Sequence, residues 1–272
     1  MDYATLLVDR RDGVDWVTLN RPHALNAITV QMVADLSDYF GRLFHDSITR
    51  VVVLRGAGKA FCAGLDIKAR LDINDRAEGG HEAAPFAGGY GFQGFLADVY
   101  LRMRRAPQPI VSLIHGPACG GGFSFALASD IRLAGETARM NAAYIRIGLS
   151  ACDMGCSYFL PRLVGGSVAA ELMLTGRFLG AQRALVLGLV AEVVPDDQLE
   201  AAAGPWIEDL LHASPMGLRM TKEGLNLAID APSLEAAMAI ENRNQLLTSA
   251  SPDFREGMAA FLEKRRPDYS AG

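Results

Sequence analysis

Apolar and polar positions change period several times along the chain. Val14–Leu19 alternates weakly after Gly13, the period-2 mark of a strand. NRPHALNAI (residues 20–28) reads as a loop, because Pro22 disfavours helix in the residue before it. Thr29 offers an N-cap, and Met32, Val33, Leu36, Phe40, Leu43 and Phe44 then recur at helical spacing. Residues 51–54 are a short apolar run of buried-strand length, so strand, helix and strand predict parallel pairing. A helix through Val99, Met103 and Arg104 stops before Pro107, with its RMRR stretch as a solvated face. Residues 110–114 are another buried-strand run, broken by Gly116, Pro117 and three glycines at 120–122. From 123 to 128 every residue but Ser124 is apolar, which predicts a helix buried almost all round. Strand 131–134, an extended segment 137–147, a loop from Gly148 and a helix towards Leu163 follow. From about Pro195 the pattern is helical only. Asp196 can cap a helix reaching Leu211, and Pro215, Pro232 and Pro252 each sit near the start of another. Their apolar faces, including Leu218, Leu225, Ile229, Leu234, Met238 and Leu246, need a surface to bury against, either the first region or another subunit. This divides the chain into an α/β region, residues 1–195, and a helical region, residues 196–272.

Residues 71–96 fit neither period. They carry six glycines, Pro85 and several acids, and read either as a lid or as an exposed insertion. As a lid they would bring Phe86, Tyr90, Phe92 and Phe95 to an apolar pocket.

Composition narrows the picture. The 272 residues are 50% hydrophobic and 21% charged, enough for a full core, and the net charge of −5 argues against a nucleic-acid partner. No apolar run approaches the roughly 20 residues of a membrane span. The first residues are acidic, unlike a signal peptide, and the last do not spell a peroxisomal address, so a cytoplasmic location is expected. Cys62, Cys119, Cys152 and Cys156 form no CxxC and have no histidine at zinc spacing, so no metal is expected and all four read as small buried side chains. His115 abuts a glycine turn and reads as structural.

Candidate chemistry centres on residues 110–130, IVSLIHGPACGGGFSFALASD: strand, glycine turn, helix. The first amides of a helix lack partners and sit at its positive end, so Gly121 N–H can face a developing negative charge. The turn is not GxGxxG and no Lys-Ser/Thr pair follows, which argues against a phosphate loop. A second strand, VVVLRG, runs into AGKAFCAGLDIK (residues 57–68) and repeats the arrangement. Two such amides converging on one oxygen would form an oxyanion hole.

Together with NRPHALNAI and FLEKRRP (residues 261–267), these stretches resemble, in order and spacing, the crotonase family of enoyl-CoA hydratase/isomerase proteins. The resemblance implies an α/β spiral of ββα units with a helical C-terminal region that drives assembly into homotrimers or dimers of trimers. It implies an acyl-CoA thioester substrate, as in fatty acid metabolism, with coenzyme A as part of the substrate and no separate cofactor. The oxyanion donors it implies are Leu65 N–H and Gly121 N–H. It places CoA along His23, Ala24 and Leu25 and along Leu65, Asp66, Ile67 and Lys68, with Phe261 and Lys264 completing the site from the same or a neighbouring subunit. By residue type alone, Asp66 and Asp130 read as structural hydrogen-bonding groups and Lys264–Arg266 as a solvated helix end.

The chain departs from the hydratases at the acid–base positions. Where those enzymes carry two glutamates, this one has Ser124 and Tyr144. Serine has no useful basicity near neutrality, and an ordinary tyrosine titrates near pH ~10. Asp153 matches an aspartate of dienoyl-CoA isomerases and the nucleophilic aspartate of 4-chlorobenzoyl-CoA dehalogenase. By residue type alone it would cap a helix starting at Met154. The resemblance thus favours double-bond isomerisation over hydration. A non-catalytic acyl-CoA binder and a dehalogenase-like enzyme with Asp153 as nucleophile are the alternatives.

Overall fold

The computed structural model describes residues 2–68 and 89–269. Its main sheet has six strands in the order β1 (Leu6–Arg11), β2 (Val14–Leu19), β3 (Val51–Gly56), β4 (Ile110–Ile114), β6 (Ile131–Gly135) and β9 (Glu192–Val194). β1 and β2 are antiparallel, and every later pair is parallel. A smaller sheet joins β5 (Pro117–Cys119), β7 (Arg139–Asn141) and β8 (Leu179–Gly180).

Both faces of the main sheet are covered, which is why β3 and β4 read as continuous apolar runs. On one face, Val17, Leu19, Val52, Leu54, Ile110 and Ile114 pack with α1 (Val30–Arg42), α2 (Gly89–Arg105) and α3 (Gly121–Ala128). Val51, Val53, Val111, Leu113 and Leu133 point the other way. They pack against Leu199, Ala203 and Ile207 of a later helix, residues Leu199–His212. Between these lie α4 (Cys156–Val164), α5 (Gly166–Thr175) and α6 (Ala181–Val186), so Leu199–His212 is α7. The chain ends in α8 (Pro215–Ala228), α9 (Leu234–Ser249) and α10 (Pro252–Glu263). These last three begin with Ser214, Ser233 and Ser251 side chains accepting backbone N–H groups, as Thr29 does for α1. They leave Leu225, Leu234, Leu246 and Phe261 67–82% exposed. Among the described residues, no helix is long and apolar enough to cross a membrane.

The structure corrects the sequence pattern in several places. β1 precedes the first expected strand and pairs with β2 across a tight turn, where Asp12 and Gly13 both have positive φ (49° and 79°). α2 begins at Gly89, inside the expected irregular segment, so Phe92 and Phe95 are helical; Phe92 is buried and Phe95 packs on the core. Phe86 and the side chain of Tyr90 lie outside the described residues. The 137–147 segment is extended only over β7, and Ala143–Ile147 is a 3-10 turn. Phe44 is exposed rather than on the buried face of α1. Asp196 does not cap α7. It accepts from Thr137 N (3.1 Å) and the Thr137 hydroxyl, tying β9's exit to the loop after β6. Within RMRR, Met103 is fully buried and Arg104 turns inward onto Asp130.

Candidate active site

The two glycine turns meet. Cys62 N donates to Pro117 O (3.1 Å) and Cys119 N to Cys62 O (2.9 Å), so residue 62 lies edge to edge with β5. Ala63 N turns to the opposite edge and donates to Leu25 O (2.9 Å). In a regular strand the next residues would keep alternating, and Leu65 N–H would point with Ala63 towards Leu25. Gly64, at φ +91°, breaks the alternation. Its carbonyl accepts Ile28 N (2.7 Å) and Asp66 N donates to Ile28 O (3.0 Å). Leu65 N–H is thereby turned away from Ile28.

The two turns are packed closely. A Cβ on Gly64 would stand 2.7 Å from Cys119 O, and one on Gly122 would stand 2.2 Å from Cys62 O. One on Gly121 would meet Ile28 Cδ1 at 2.8 Å and the Tyr100 hydroxyl at 3.0 Å. Gly120 precedes α3 with φ +51° and offers no capping side chain, so the first amides of this fully buried helix are left without a side-chain cap. Tyr100 Oη donates to Gly121 O (2.9 Å), and its ring stacks on Phe125 at 4.9 Å. The arrangement can hold an oxygen that gains negative charge.

The rim is stitched by Asn26, which is fully buried in left-handed backbone (φ 56°). Its amide donates to Ala57 O (2.9 Å) and Ala60 O (2.8 Å) and accepts from Arg21 N (2.9 Å). Arg21 pairs with Asp66 (3.1 Å). The expected CoA residues therefore share one edge: His23, Leu25, Ile67 and Lys68 are exposed there, and Ala24, Leu65 and Asp66 are half-buried. Phe261 and Lys264 belong to another part of the chain. α10 is held through Asp253 to Ser214 (2.6 Å), and Phe261 is 82% exposed.

Ser124 and Tyr144, twenty residues apart, meet at 2.8 Å between their hydroxyls, and both are buried. Burial holds the Tyr144 phenol well above its ordinary value, so it stays protonated near neutrality. Asp153 is half-buried beside them and does not cap the helix: α4 starts at Cys156 with Gly155 as its cap. Its Oδ1 accepts from Met154 N (2.9 Å) and from Gln93 Nε2. Burial raises its pKa, and these two hydrogen bonds oppose the shift. Behind Tyr100 and Met154 opens a cavity of about 890 Å³, whose wall includes Leu127, Phe159 and Leu163.

His115 is structural as expected, meeting Gly58 O at 2.9 Å. Asp130 joins Arg104 (3.0 Å), Lys222 (2.7 Å) and Ile110 N (2.8 Å). The four cysteines are free, but they are not uniformly buried: Cys152 is exposed and Cys119 half-buried. Burial pushes the Cys62 thiol up to about 12 and the Cys119 thiol to about 11, so neither is reactive. The sequence pattern misses Gln93 and Tyr100. Their spacing of seven puts both on one helical face, a signal hidden by the glycines at 89, 91 and 94.

The family model for enoyl-CoA hydratase/isomerase matches residues 9–272. A Mycobacterium tuberculosis protein named "Probable enoyl-CoA hydratase EchA12" is 38% identical, over 96% of this chain and 90% of its own. The 1,2-epoxyphenylacetyl-CoA isomerase of Escherichia coli is 33% identical over 95% of each. The crystal structure of an enoyl-CoA hydratase from Bacillus anthracis superposes with a TM-score of 0.89 at 30% identity, over 98% of this chain and all of that one. A mixed sheet, a helical C-terminal end and a match across nearly the whole chain have one reading: the protein is an acyl-CoA enzyme with the crotonase fold and belongs to the enoyl-CoA hydratase/isomerase family.

Proposed function

We propose that the protein moves a double bond within an acyl-CoA thioester by proton transfer through an enolate. The observation that carries this reading is the buried contact between Ser124 and Tyr144, which leaves Asp153 as the carboxylate near that pair. Asp153 takes a proton from the carbon chain. The electron pair moves into the thioester, and the charge on its oxygen is held by Leu65 N–H and Gly121 N–H, each worth about 2.7–4 kcal/mol by analogy with other such donors. Returning the proton to a different carbon completes isomerisation, so one base suffices. Hydration would also need a group to orient water. The hydroxyls of Ser124 and Tyr144 engage each other and neither is a base, so hydration is the slower reaction.

CoA lies along the exposed edge of His23–Leu25 and Leu65–Lys68. Phe261 and Lys264 reach it from a neighbouring subunit, which the exposed apolar residues of α8–α10 favour, in a homotrimer or a dimer of trimers.

The test is to incubate the protein with crotonyl-CoA and a 3-enoyl-CoA in deuterated water, following label and double-bond position by NMR. Isomerisation and exchange well above hydration are expected. Fast hydration of crotonyl-CoA overturns the reading, and CoA binding without exchange makes the protein a binder.

A further inference from the structure

α2 carries one stripe of residues at helical spacing: Gln93, Ala97, Tyr100 and Arg104. Two of them end on separate parts of the site and a third on the structural Asp130. Gln93 reaches the Asp153 carboxylate, Tyr100 the Gly121 carbonyl and Arg104 the Asp130 carboxylate. Ala97, Tyr100 and Arg104 also wall the cavity behind Met154. Seven residues of helix separate the first two contacts, a fixed rise of about 10 Å. Tyr100 is fixed at its own end by stacking on Phe125, a residue of α3. Arg104 fixes the far end of the stripe.

We propose that α2 positions both halves of the site: Gln93 orients the Asp153 carboxylate, and Tyr100 pins the first turn of α3 behind the Gly121 amide. The inference rests on the reading of Asp153 as base and Gly121 as oxyanion donor. Gln93 and Tyr100 are positioning residues, because each acts through another group.

The two contacts have different electrostatic consequences. Among the described residues, the titratable groups facing Asp153 are Tyr100 from α2, Tyr144 from the 3-10 turn and Cys156 from α4. Burial keeps all three protonated near neutrality, with the Cys156 thiol pushed up to about 12. Gln93 is thus the side chain on α2 that favours the charged form of Asp153, whereas Tyr100 contacts a neutral carbonyl. Removing the first changes the base's titration; removing the second changes only geometry.

The experiment follows deuterium exchange into the acyl chain against pH for wild type, Gln93→Leu, Tyr100→Phe and Asp153→Asn, with circular dichroism and CoA affinity measured on each. Gln93→Leu is expected to lose about tenfold in rate, the scale of a hydrogen bond to a charged group, with the acid limb of its profile moved to higher pH. Tyr100→Phe keeps the stacked ring and is expected to lose rate with the acid limb in place. CoA affinity stays near wild type in both. If Gln93→Leu does not fold, Gln93→Met gives the same readout. An unmoved limb in a folded Gln93 variant, or a moved limb in Tyr100→Phe, overturns the inference. Asp153→Asn separates the two levels: retained exchange there refutes the base assignment, whereas abolished exchange with an unmoved limb in the Gln93 variant refutes only the role of α2.

Discussion

Gly64, Gly121 and Gly122 sit where an added Cβ would lie 2.7, 2.8 and 2.2 Å from neighbouring atoms. Asp153 is half-buried and holds its place through Met154 N–H and one exposed glutamine. One region is backbone packed so closely against carbonyls and buried side chains that a Cβ would come within 3 Å of them, and the other is a side chain held by one backbone amide and one exposed side chain. The difference teaches where the family's common chemistry lies and where this member's own lies. An amide can be lost only by distorting the fold, so the enolate stabilisation proposed above rests on the backbone itself. The acid–base wall changes with one substitution, as Ser124 and Tyr144 illustrate.

Substitutions on each side sharpen this contrast. Asp153→Asn is expected to have the largest effect, a loss of roughly 10²–10⁴-fold in turnover, as for other general bases. CoA affinity, read by calorimetry, should hardly change. Gly64→Ala should come next: it opposes φ +91° and the Cys119 carbonyl, and losing the Leu65 donor costs about 10²–10³-fold. Its melting temperature should fall as well, which the aspartate substitution should not cause. If the two variants behaved alike in both assays, the contrast between the floor of glycine turns and the acid–base wall would collapse. Joint replacement of Phe261 and Lys264 by Ala should weaken CoA binding by roughly tenfold, the scale of one exposed ion pair with some apolar contact. Its rate at saturating substrate should persist.

The smallest expected effect is on stability. Asp153 has an ordinary value of 3.8, raised in the folded state mainly by desolvation. The folded protein therefore binds a proton more tightly than the unfolded chain, and folding loses stability as pH rises from the ordinary value through the higher folded one. At neutral pH that cost is fully present. Asp153→Asn should melt at or slightly above the wild-type temperature at pH 7, while below the ordinary value the two should converge. A lower melting temperature at pH 7 would mean that the charged form is the better fit to its surroundings.

Much of the floor was legible in sequence because only one residue type fits there. Gly64, Gly121 and Gly122 admit no side chain, so AGLD and GGG carry geometry in their letters. The wall was legible only as an anomaly, two missing glutamates and an aspartate. The contact between Ser124 and Tyr144 depends on how α3 meets the 3-10 turn, which no local pattern encodes. α2 was obscured for a definable reason. Gly89, Gly91 and Gly94 each lower helix propensity by up to about 1 kcal/mol, and burial of Phe92, Leu96 and Val99 in the core outweighs this. The hairpin of β1 and β2 was encoded locally by Asp12-Gly13 between polar-apolar flanks.

Lys222 is buried at 7% exposure, and its ammonium reaches Asp130, Met103 O (3.3 Å) and Gln108 O (2.9 Å). One side chain of α8 thereby touches the end of α2, the entry to β4 and the carboxylate that receives Ile110 N. To lift α8 away, the chain must leave Asp130 and two carbonyls short of a donor inside the protein. Opening of α8 is therefore tied to opening of the sheet, and the two form a single cooperative unit. Their most protected amide hydrogens should exchange with solvent at a common slow rate, with the C-terminal segment beginning at α8 counted in the same unit as the strands.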